Sequence, residues 1–174
     1  MNIVLIGYRG AGKSAVGAIL SQRLSMPCIG MDAEIVRRAG CSIPRIVENQ
    51  GWPGFRDAES ALALDLAGQD NLIIDTGGGV IERPENMASL RKNGRVFWLT
   101  ASVDTIVSRI CTDTQRPALT TGKSFTDEVA EVLARRIPLY RAAAHHEIAT
   151  DDLTPAQVAD TILGLLKKEA AGPA

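Results

Sequence analysis

The feature that most restricts the fold of this chain is a glycine-rich segment near its start, set between an apolar run and a helical pattern. The segment reads Gly-Tyr-Arg-Gly-Ala-Gly-Lys-Ser over residues 7–14, which is GxxxxGK followed by Ser. The apolar run at residues 3–6 predicts a buried strand over residues 2–6, and the apolar spacing over residues 13–24 predicts a helix. Strand, glycine-rich turn and helix in this order are typical of P-loop nucleotide-binding proteins.

The residue types of this loop suit a polyphosphate. Glycines let backbone N–H groups curl around an anion, and the N-terminus of the following helix adds partial positive charge. We expect Lys13 to reach the β- and γ-phosphates of ATP and the Ser14 hydroxyl to bind Mg²⁺. The predicted nucleotide contacts are Gly10, Ala11, Gly12, Lys13, Ser14 and Ala15. The motif alone does not separate kinases from GTPases, other ATPases or inactive nucleotide binders.

Short β-branched runs alternate with helical stretches along the rest of the chain, which is typical of βαβ units around a parallel sheet. Further strands are predicted near residues 27–31, 72–74, 95–99 and 147–149. Asp32 is predicted to cap the helix after the second strand, and Gly51-Trp52-Pro53-Gly54 to form a turn between two helices. No internal repeat is visible, so we predict one domain over residues 1–174, an α/β fold of the P-loop NTPase type.

Composition excludes several classes of partner. The net charge is −1, which gives no broad electrostatic footprint for nucleic acid or an anionic membrane. The three cysteines, Cys28, Cys41 and Cys111, form no CxxC pair, and this favours reduced thiols over a disulfide framework or zinc site. The apolar run at residues 3–6 is too short for a signal peptide or membrane span. We therefore expect a cytoplasmic protein, monomeric, without nucleic acid or membrane partners.

Candidate site residues follow the second and third strands. Asp32 follows the second strand, and Asp75 and the triplet Gly77-Gly78-Gly79 follow the third. Because open α/β sheets bind ligands at the carboxyl edge of their strands, we expect these residues to converge near the phosphate-binding loop. Three consecutive glycines suit a close approach of backbone to a ligand, although an ordinary flexible turn is the alternative.

Three arginines are candidates for binding anionic groups. Arg56 stands at the predicted start of a helix, where a cation opposes the helix dipole, and Arg136 precedes Pro138-Leu139-Tyr140. A solvated Arg56 and a salt-bridged surface Arg136 are the alternatives. Arg116 lies in a polar stretch at residues 112–123, from which a loop could bring it over the phosphates and neutralise transition-state charge.

Taken together, these segments resemble the shikimate kinase family. The resemblance rests on GYRGAGKS at 7–14, Asp32, GFRDAE at 54–59, TGGG at 76–79, Arg109, QRPAL at 115–119 and RIPLYR at 136–141. These pieces occur in the family's order and spacing over most of the chain. The phosphate-binding loop is generic, whereas the combination of the other motifs is specific.

The resemblance implies a nucleoside-monophosphate-kinase-like fold with a five-stranded parallel sheet flanked by helices. It also implies a lid at residues 112–123 and a substrate-binding helical region at residues 32–62. The implied activity is phosphorylation of the 3-hydroxyl of shikimate by ATP with Mg²⁺, on the pathway to chorismate and the aromatic amino acids. A small hydroxylated carboxylate is bound well by Arg forks and an Asp, and Lys does not replace Arg equally at such a site.

The resemblance also implies roles for individual residues. Asp32 would bind two ring hydroxyls and act as base, Arg56 and Arg136 would hold the carboxylate, and Gly77, Gly78 and Gly79 would contact the substrate. Arg116 would lie on the phosphates and Arg109 along adenine. The implied catalytic set is Lys13, Asp32 and Arg116.

The chain departs from the family pattern at two places. The family usually has Asp-x-Asp after the second strand, the first Asp serving Mg²⁺ through water, but this chain has Gly30-Met31-Asp32. It carries Asp75 two residues before the glycine triplet, where the family usually has a small or uncharged residue. Our hypothesis is that the magnesium carboxylate has moved from position 30 to position 75; the alternative is that Asp75 caps or pairs with a nearby arginine. Leu153 replaces a polar or basic residue near adenine, which predicts looser nucleotide selectivity.

Three other functions remain open from the sequence. A kinase for another polyol acid, such as gluconate, would share the phosphate-binding loop, but Arg56, Arg136 and the glycine triplet favour shikimate. A GTPase-like switch would use Asp75-Thr76-Gly77-Gly78 as its DxxG element, but no Asn/Thr-Lys-x-Asp motif for guanine occurs in the sequence. A non-catalytic homologue is the third alternative, and the presence of Lys13, Asp32 and Arg116 argues against it.

Overall fold

The computed structural model describes residues 1–110 and 124–172, and at its centre lies a five-stranded sheet in which every neighbouring pair of strands is parallel. The strands are β1 (Asn2–Ile6), β2 (Cys28–Gly30), β3 (Ile73–Asp75), β4 (Gly94–Thr100) and β5 (His146–Ala149), in the order β2-β3-β1-β4-β5. The parallel α/β architecture predicted from the sequence is confirmed. Because β1 is the central strand, the loop that follows it emerges from the middle of the sheet edge.

Helices cover both faces of the sheet. They are α1 (Lys13–Leu24), α2 (Met31–Ala39), α3 (Ile43–Ala67), α4 (Pro84–Lys92), α5 (Val103–Ile110), α6 (Phe125–Ala143) and α7 (Pro155–Ala170), with a 3₁₀ turn at Val80–Glu82. The side chain of Thr154 accepts from the N–H of Gln157 and the Gln157 side chain accepts from the N–H of Thr154, so a capping box begins α7.

Alternation along β1 separates two hydrophobic cores. Ile3 and Leu5 point to the face that α1 and α7 cover, whereas Val4 and Ile6 point to the face that α2, α3, α4 and α6 cover. All five residues of β1 are buried. A parallel strand that is covered on both faces has this near-continuous apolar sequence, which is why residues 2–6 could be recognised as a strand.

A third, smaller hydrophobic cluster joins α5 and α6 to the loop after β1. Its buried members are Tyr8, Ile106, Ile110, Val129, Val132 and Leu133. Tyr8 belongs to the glycine-rich loop, and its side chain is only 5% exposed. The loop is therefore packed against α5 and α6, the helices that come before and after residues 111–123 in the sequence.

Two details of the sequence-based prediction differ from the structure. Gly51, with φ 70° and ψ 176°, is not helical, so two helical segments meet there within α3 and the predicted break between two helices is confirmed; residues 52–54, however, belong to the second segment and not to a turn. Pro53 lies in the first turn after that break, where its missing N–H removes no intrahelical bond. Asp32 does not cap α2, because the helix begins one residue earlier, at Met31, and Gly30 occupies the N-cap.

The lid predicted at residues 112–123, with Arg116, lies outside the described residues, as does Cys111. Cys28 and Cys41 carry free thiols, as predicted. None of the helices in the described part of the chain is both long and apolar enough to cross a membrane.

Candidate active site

A cavity of about 1050 Å³ opens at the carboxyl edge of the sheet, where β1, β2 and β3 end. Its wall includes Lys13, Ser14, Asp32, Asp75 and Gly78. Small-molecule pockets measure roughly 300–1,000 Å³, so this cavity has room for a nucleotide and a second small molecule. Asp32 and Gly78, which the sequence assigned to the acceptor, therefore share this cavity with the residues assigned to the nucleotide, whereas Arg56 and Arg136 do not line it.

The phosphate-binding loop owes its path to glycines with positive φ. Gly7, Gly10 and Gly12 have φ of 145°, 83° and 92°, a region that residues with a Cβ rarely adopt. A Cβ added at Gly7 would also collide with the carbonyl oxygen of Leu99, and one at Gly10 would lie 2.7 Å from Cγ2 of Ile110. The path of the loop therefore requires glycine at these positions.

Lys13 brings a buried ammonium group to this loop. Its Nζ donates to the carbonyls of Gly7 and Tyr8 at 3.0 and 3.2 Å, and the residue is 8% exposed. Gly12 is the N-cap of α1 and makes no side-chain capping bond. The first N–H groups of α1 thus have no side-chain cap, which is the condition for anion binding at a helix N-terminus.

Ser14 and Asp75 meet at the mouth of the cavity. The Ser14 hydroxyl donates to Oδ2 of Asp75 at 2.6 Å, and Asp75 lies in register with Gly30 on the neighbouring strand. No ion pair to Asp75 occurs within residues 1–110 and 124–172, which removes the alternative of an arginine partner there. Burial and the charge of Asp75 both raise the pKa of the Cys28 thiol. A hydroxyl and a carboxylate oxygen are ligands that Mg²⁺ prefers.

Arg109 links the loop to the end of β5. Its Nη1 donates to the carbonyl of Gly10 at 3.0 Å, and its Nη2 donates to the carbonyl of Thr150 at 3.2 Å. The half-buried Leu153 follows three residues after Thr150. The predicted contacts of Arg109 and Leu153 with adenine stay predictions.

At Gly77 and Gly79, the outer members of the glycine triplet, side chains approach the backbone so closely that a Cβ would force them to shift. A Cβ at Gly77 would lie 2.7 Å from Oε1 of Glu59 and 2.8 Å from Oδ1 of Asp32, and one at Gly79 would collide with the guanidinium of Arg56. The hydroxyl of Tyr140 donates to the carbonyl of Gly78. The triplet is therefore a tightly packed wall, and the alternative of a flexible turn is excluded.

Arg56 and Arg136 converge behind this triplet from α3 and α6. Their side chains are 11% and 6% exposed, so neither the solvated nor the surface alternative holds. Nη1 of Arg56 donates to Oε2 of Glu59 at 2.6 Å, and its Nη2 lies 3.1 Å from Oε2 of Glu82. Nε and Nη2 of Arg136 donate to Oε1 of Glu82 at 3.0 and 2.8 Å. We call Arg56, Glu59, Glu82 and Arg136 the arginine–glutamate cluster.

The two carboxyl groups of the arginine–glutamate cluster differ in their electrostatics. Burial raises the pKa of Glu59, whose side chain is fully buried, despite the opposing charge and hydrogen bond of Arg56. Burial also acts to raise the pKa of Glu82, but the charge and hydrogen bonds of Arg136, with the charge of Arg56, lower it below its ordinary value. Oε1 of Glu59 has no hydrogen-bond partner in the described residues, so it is a buried acceptor beside Gly77.

The sequence did not identify Glu59 or Glu82 as part of the site. Glu59 had a local signal, because it lies three residues after Arg56 on one helix face. Glu82 had none, since a charged residue in a surface turn normally faces solvent. Tyr8 and Tyr140 were also missed, because apolar and aromatic residues near motifs usually indicate packing.

A sequence profile of the shikimate kinase family matches residues 9–167 of the chain. The shikimate kinase of Pseudomonas savastanoi pv. phaseolicola is 42% identical over 165 residues, which cover 95% of each chain. The solved structure of shikimate kinase from Acinetobacter baumannii in complex with shikimate superposes with a TM-score of 0.92 at 34% identity, covering 97% of this chain and 93% of that one.

A gluconokinase from Sinorhizobium meliloti superposes with a TM-score of 0.60 at 18% identity, covering 98% of this chain and 93% of that one. At that level of identity the likeness shows a common fold and gives no information about the acceptor. The similarity in sequence therefore points to one family, while the similarity in fold extends to kinases of other small molecules.

Proposed function

The chain belongs to the shikimate kinase family, and on that premise we propose that it transfers the terminal phosphate of ATP to the 3-hydroxyl of shikimate. The observation that carries the choice of acceptor is the pair of buried guanidinium groups, Arg56 and Arg136, which meet behind the glycine triplet. Paired arginines match a carboxylate in geometry as well as charge. The Cζ of Arg136 also lies 5.7 Å from the ring centroid of Tyr8 in the phosphate-binding loop, so the pair is close to that loop, as transfer between two bound substrates requires.

At the nucleotide end, the backbone N–H groups of residues 10–15 would bind the phosphates. The Lys13 ammonium would neutralise charge that builds up on the transferred group, for which its buried position beside the loop carbonyls suits it. Removing one such charge contact typically raises the barrier by about 2.7–4 kcal/mol. Arg109 would support the nucleotide through its contact with Gly10.

Magnesium would be held by Ser14 and Asp75, and the residues present fit it: a hydroxyl and a carboxylate oxygen 2.6 Å apart open on the cavity. When bound, the ion neutralises phosphate charge and orients the phosphates. Positions 30 and 75 are paired on the neighbouring strands β2 and β3. This register supports a magnesium-binding role for Asp75 in place of a carboxylate at position 30.

At the acceptor end, Asp32 would bind ring hydroxyls and orient the attacking one. Its Oδ1 lies against Gly77, next to the buried carboxyl of Glu59, so the carboxylate is held at the wall between the two substrates. An Asp that accepts the proton of the substrate hydroxyl is the usual base in kinases. Arg116, outside the described residues, would supply further positive charge to the phosphates from the predicted lid.

The direct test is ADP release by the purified protein with and without shikimate, with gluconate as the alternative acceptor and GTP as the alternative donor. We expect shikimate-dependent ADP release from ATP and none with gluconate. Shikimate-independent GTP hydrolysis would support the switch-like alternative, and nucleotide binding without ADP release would support a non-catalytic homologue. Size-exclusion chromatography of the same sample tests the proposal that the protein is a monomer.

A further inference from the structure

Glu82 occupies the guanidinium groups that the acceptor carboxylate would need. Its Oε1 accepts from Nε and Nη2 of Arg136, and its Oε2 lies 3.1 Å from Nη2 of Arg56. The Nε–Nη2 edge is the flat side of a guanidinium that matches a carboxylate best. One carboxylate of the protein itself therefore already bridges the two arginines of the acceptor site.

The two arginines do not depend on Glu82 for their positions. Arg56 is held by Glu59 at 2.6 Å and stacks on Trp52 and Phe55, with its Cζ 5.6 and 5.4 Å from the ring centroids. Arg136 lies on the ring of Tyr8, 5.7 Å from its centroid, and is buried in α6. Because packing orients both guanidinium groups, Glu82 is not required to orient them.

Glu82 is also the member of the arginine–glutamate cluster that can move at least cost. Its side chain is 30% exposed, whereas that of Glu59 is completely buried. It stands at the end of the 3₁₀ turn Val80–Glu82, directly before the N-cap of α4. A swing of this side chain toward water would leave an ionised carboxylate hydrated and both arginines open to another anion.

We propose that Glu82 is a resident competitor for the acceptor carboxylate, which gives up its contact with Arg136 when a carboxylate-bearing acceptor binds. This inference rests on the proposed function, because it takes Arg56 and Arg136 as the carboxylate site. Glu82 thereby sets both the affinity of the site and its preference for an anionic acceptor. It is a specificity-determining residue, not a catalytic one.

The charges of the arginine–glutamate cluster predict whether removing the charge of Glu82 strengthens or weakens the binding of a carboxylate. With both carboxyl groups ionised, two cations and two anions sum to zero, so an arriving carboxylate gains little from the net field of the cluster. Removing the charge of Glu82 leaves a net positive cluster around the same two guanidinium groups. A carboxylate should then bind more tightly, whereas an uncharged ligand of the same shape should be indifferent to the change.

The test is Glu82→Gln, which keeps the size of the side chain and removes its charge. Titration calorimetry with shikimate, with its methyl ester and with ADP separates charge from shape. We expect the variant to bind shikimate about tenfold more tightly, because a like charge next to the ligand carboxylate is removed. Binding of the methyl ester and of ADP should stay within about twofold of the wild type. The matched control is Glu85→Gln, an exposed residue three positions later that forms no ion pair in the described residues, and it should change none of the three affinities.

Weaker binding of shikimate to Glu82→Gln would make Glu82 a supporting residue and overturn the proposal, and so would unchanged binding. Equal tightening of shikimate and its ester would also overturn it, since the effect would then not be one of charge. Circular dichroism checks folding, and Glu82→Ser carries the same expectation if the first variant does not fold. A wild-type protein that binds no shikimate would instead contradict the proposed function itself.

Discussion

The two parts of the proposed active site, the nucleotide end and the acceptor end, are built in different ways. The nucleotide end is one continuous segment, residues 7–14, whose path depends on glycine backbone angles. The acceptor end consists of side chains from α3, α6, the loop after β3 and a 3₁₀ turn, held by charge pairing in the arginine–glutamate cluster. The first end should therefore be sensitive to backbone strain, and the second to changes of charge.

The largest expected effect is that of Gly7→Ala at the nucleotide end. The free energy of unfolding should fall by about 4 kcal/mol, because strain at φ 145° adds to a collision with the carbonyl of Leu99. Denaturant unfolding without nucleotide measures this loss. The control is Gly12→Ala, whose Cβ would meet nothing within 4 Å and which should lose only about 1 kcal/mol to its left-handed backbone. Equal losses in the two variants would show that the Leu99 carbonyl plays no part.

At the acceptor end, Arg136→Met should separate charge from fold. We expect kcat/KM for shikimate to fall about 10³-fold, since truncating one member of a buried charge pair typically costs about 2–5 kcal/mol. ATP affinity should fall much less, because Arg136 contacts the phosphate-binding loop through the ring of Tyr8 and not through the groups proposed to bind the phosphates. Steady-state kinetics and calorimetry give the two values. Arg45→Met is the control: Arg45 forms an exposed pair with Glu48 and should leave both values unchanged. A comparable loss of ATP affinity in Arg136→Met would break the separation of the two ends.

Asp75→Asn tests whether Asp75 is the carboxylate that binds Mg²⁺ at the nucleotide end. Asn retains an acceptor for Ser14 but removes the charge, so calorimetric affinity for ADP in the presence of Mg²⁺ should fall about 10- to 100-fold, with metal-free ADP unaffected. Shikimate affinity should not change.

A second substitution returns the carboxylate to β2. A Cβ at Gly30 would meet only Cβ of Ala33, at 3.9 Å, so Gly30→Asp fits without strain. The double variant Gly30→Asp/Asp75→Asn should recover most of the Mg²⁺-dependent affinity, because positions 30 and 75 lie in register. Failure to recover, or an intact affinity in Asp75→Asn alone, would contradict the relocation of the carboxylate.

The smallest effects concern pH and the two glutamates. A carboxyl whose pKa is raised in the folded state, as in Glu59, contributes most to stability at pH values below its unfolded-state pKa. That contribution is lost as pH rises through the folded-state pKa. A carboxyl whose pKa is lowered in the folded state, as in Glu82, contributes stability at pH values above its unfolded-state pKa. That contribution is lost as pH falls through the folded-state pKa. Relative to the wild type, Glu59→Gln should therefore gain stability as pH rises above 4.5.

Glu82→Gln should show the opposite trend and lose relative stability as pH rises toward 4.5. Each slope is at most about 1.4 kcal/mol per pH unit. Denaturant unfolding at a series of pH values measures both slopes. Slopes of the same sign in the two variants would show that burial and arginine charge do not act on these groups in opposite directions.

The sequence predicts the nucleotide end far better than the acceptor end, for a physical reason. The phosphate-binding loop is local, so its residue types and its flanking strand and helix are visible within about twenty neighbouring residues. The charge partners of Arg56 and Arg136 are set by tertiary packing, and Glu82 reaches Arg136 from 54 positions away. No local pattern encodes such a pair.

The same distinction explains the errors within the fold. Gly and Pro at residues 51–54 favour a turn by local preference, and the helix does break at Gly51, but packing of Trp52 and Phe55 in the main core makes the second helical segment begin directly after it. Asp32 has the preference of a cap, but burial of Met31 begins the helix one residue earlier. Tertiary contacts overrode the local preference in both cases.

Tyr8 connects the proposed phosphate-binding loop to α5 and α6. Its ring is embedded among Ile106, Val129 and Val132, while its backbone carbonyl receives the ammonium of Lys13. A change in the packing of α5 against α6 would therefore move Tyr8 and, with it, the carbonyl that binds Lys13. Conservative changes of volume at Ile106 or Val129 should thus alter how firmly a nucleotide is held, although neither residue lines the cavity.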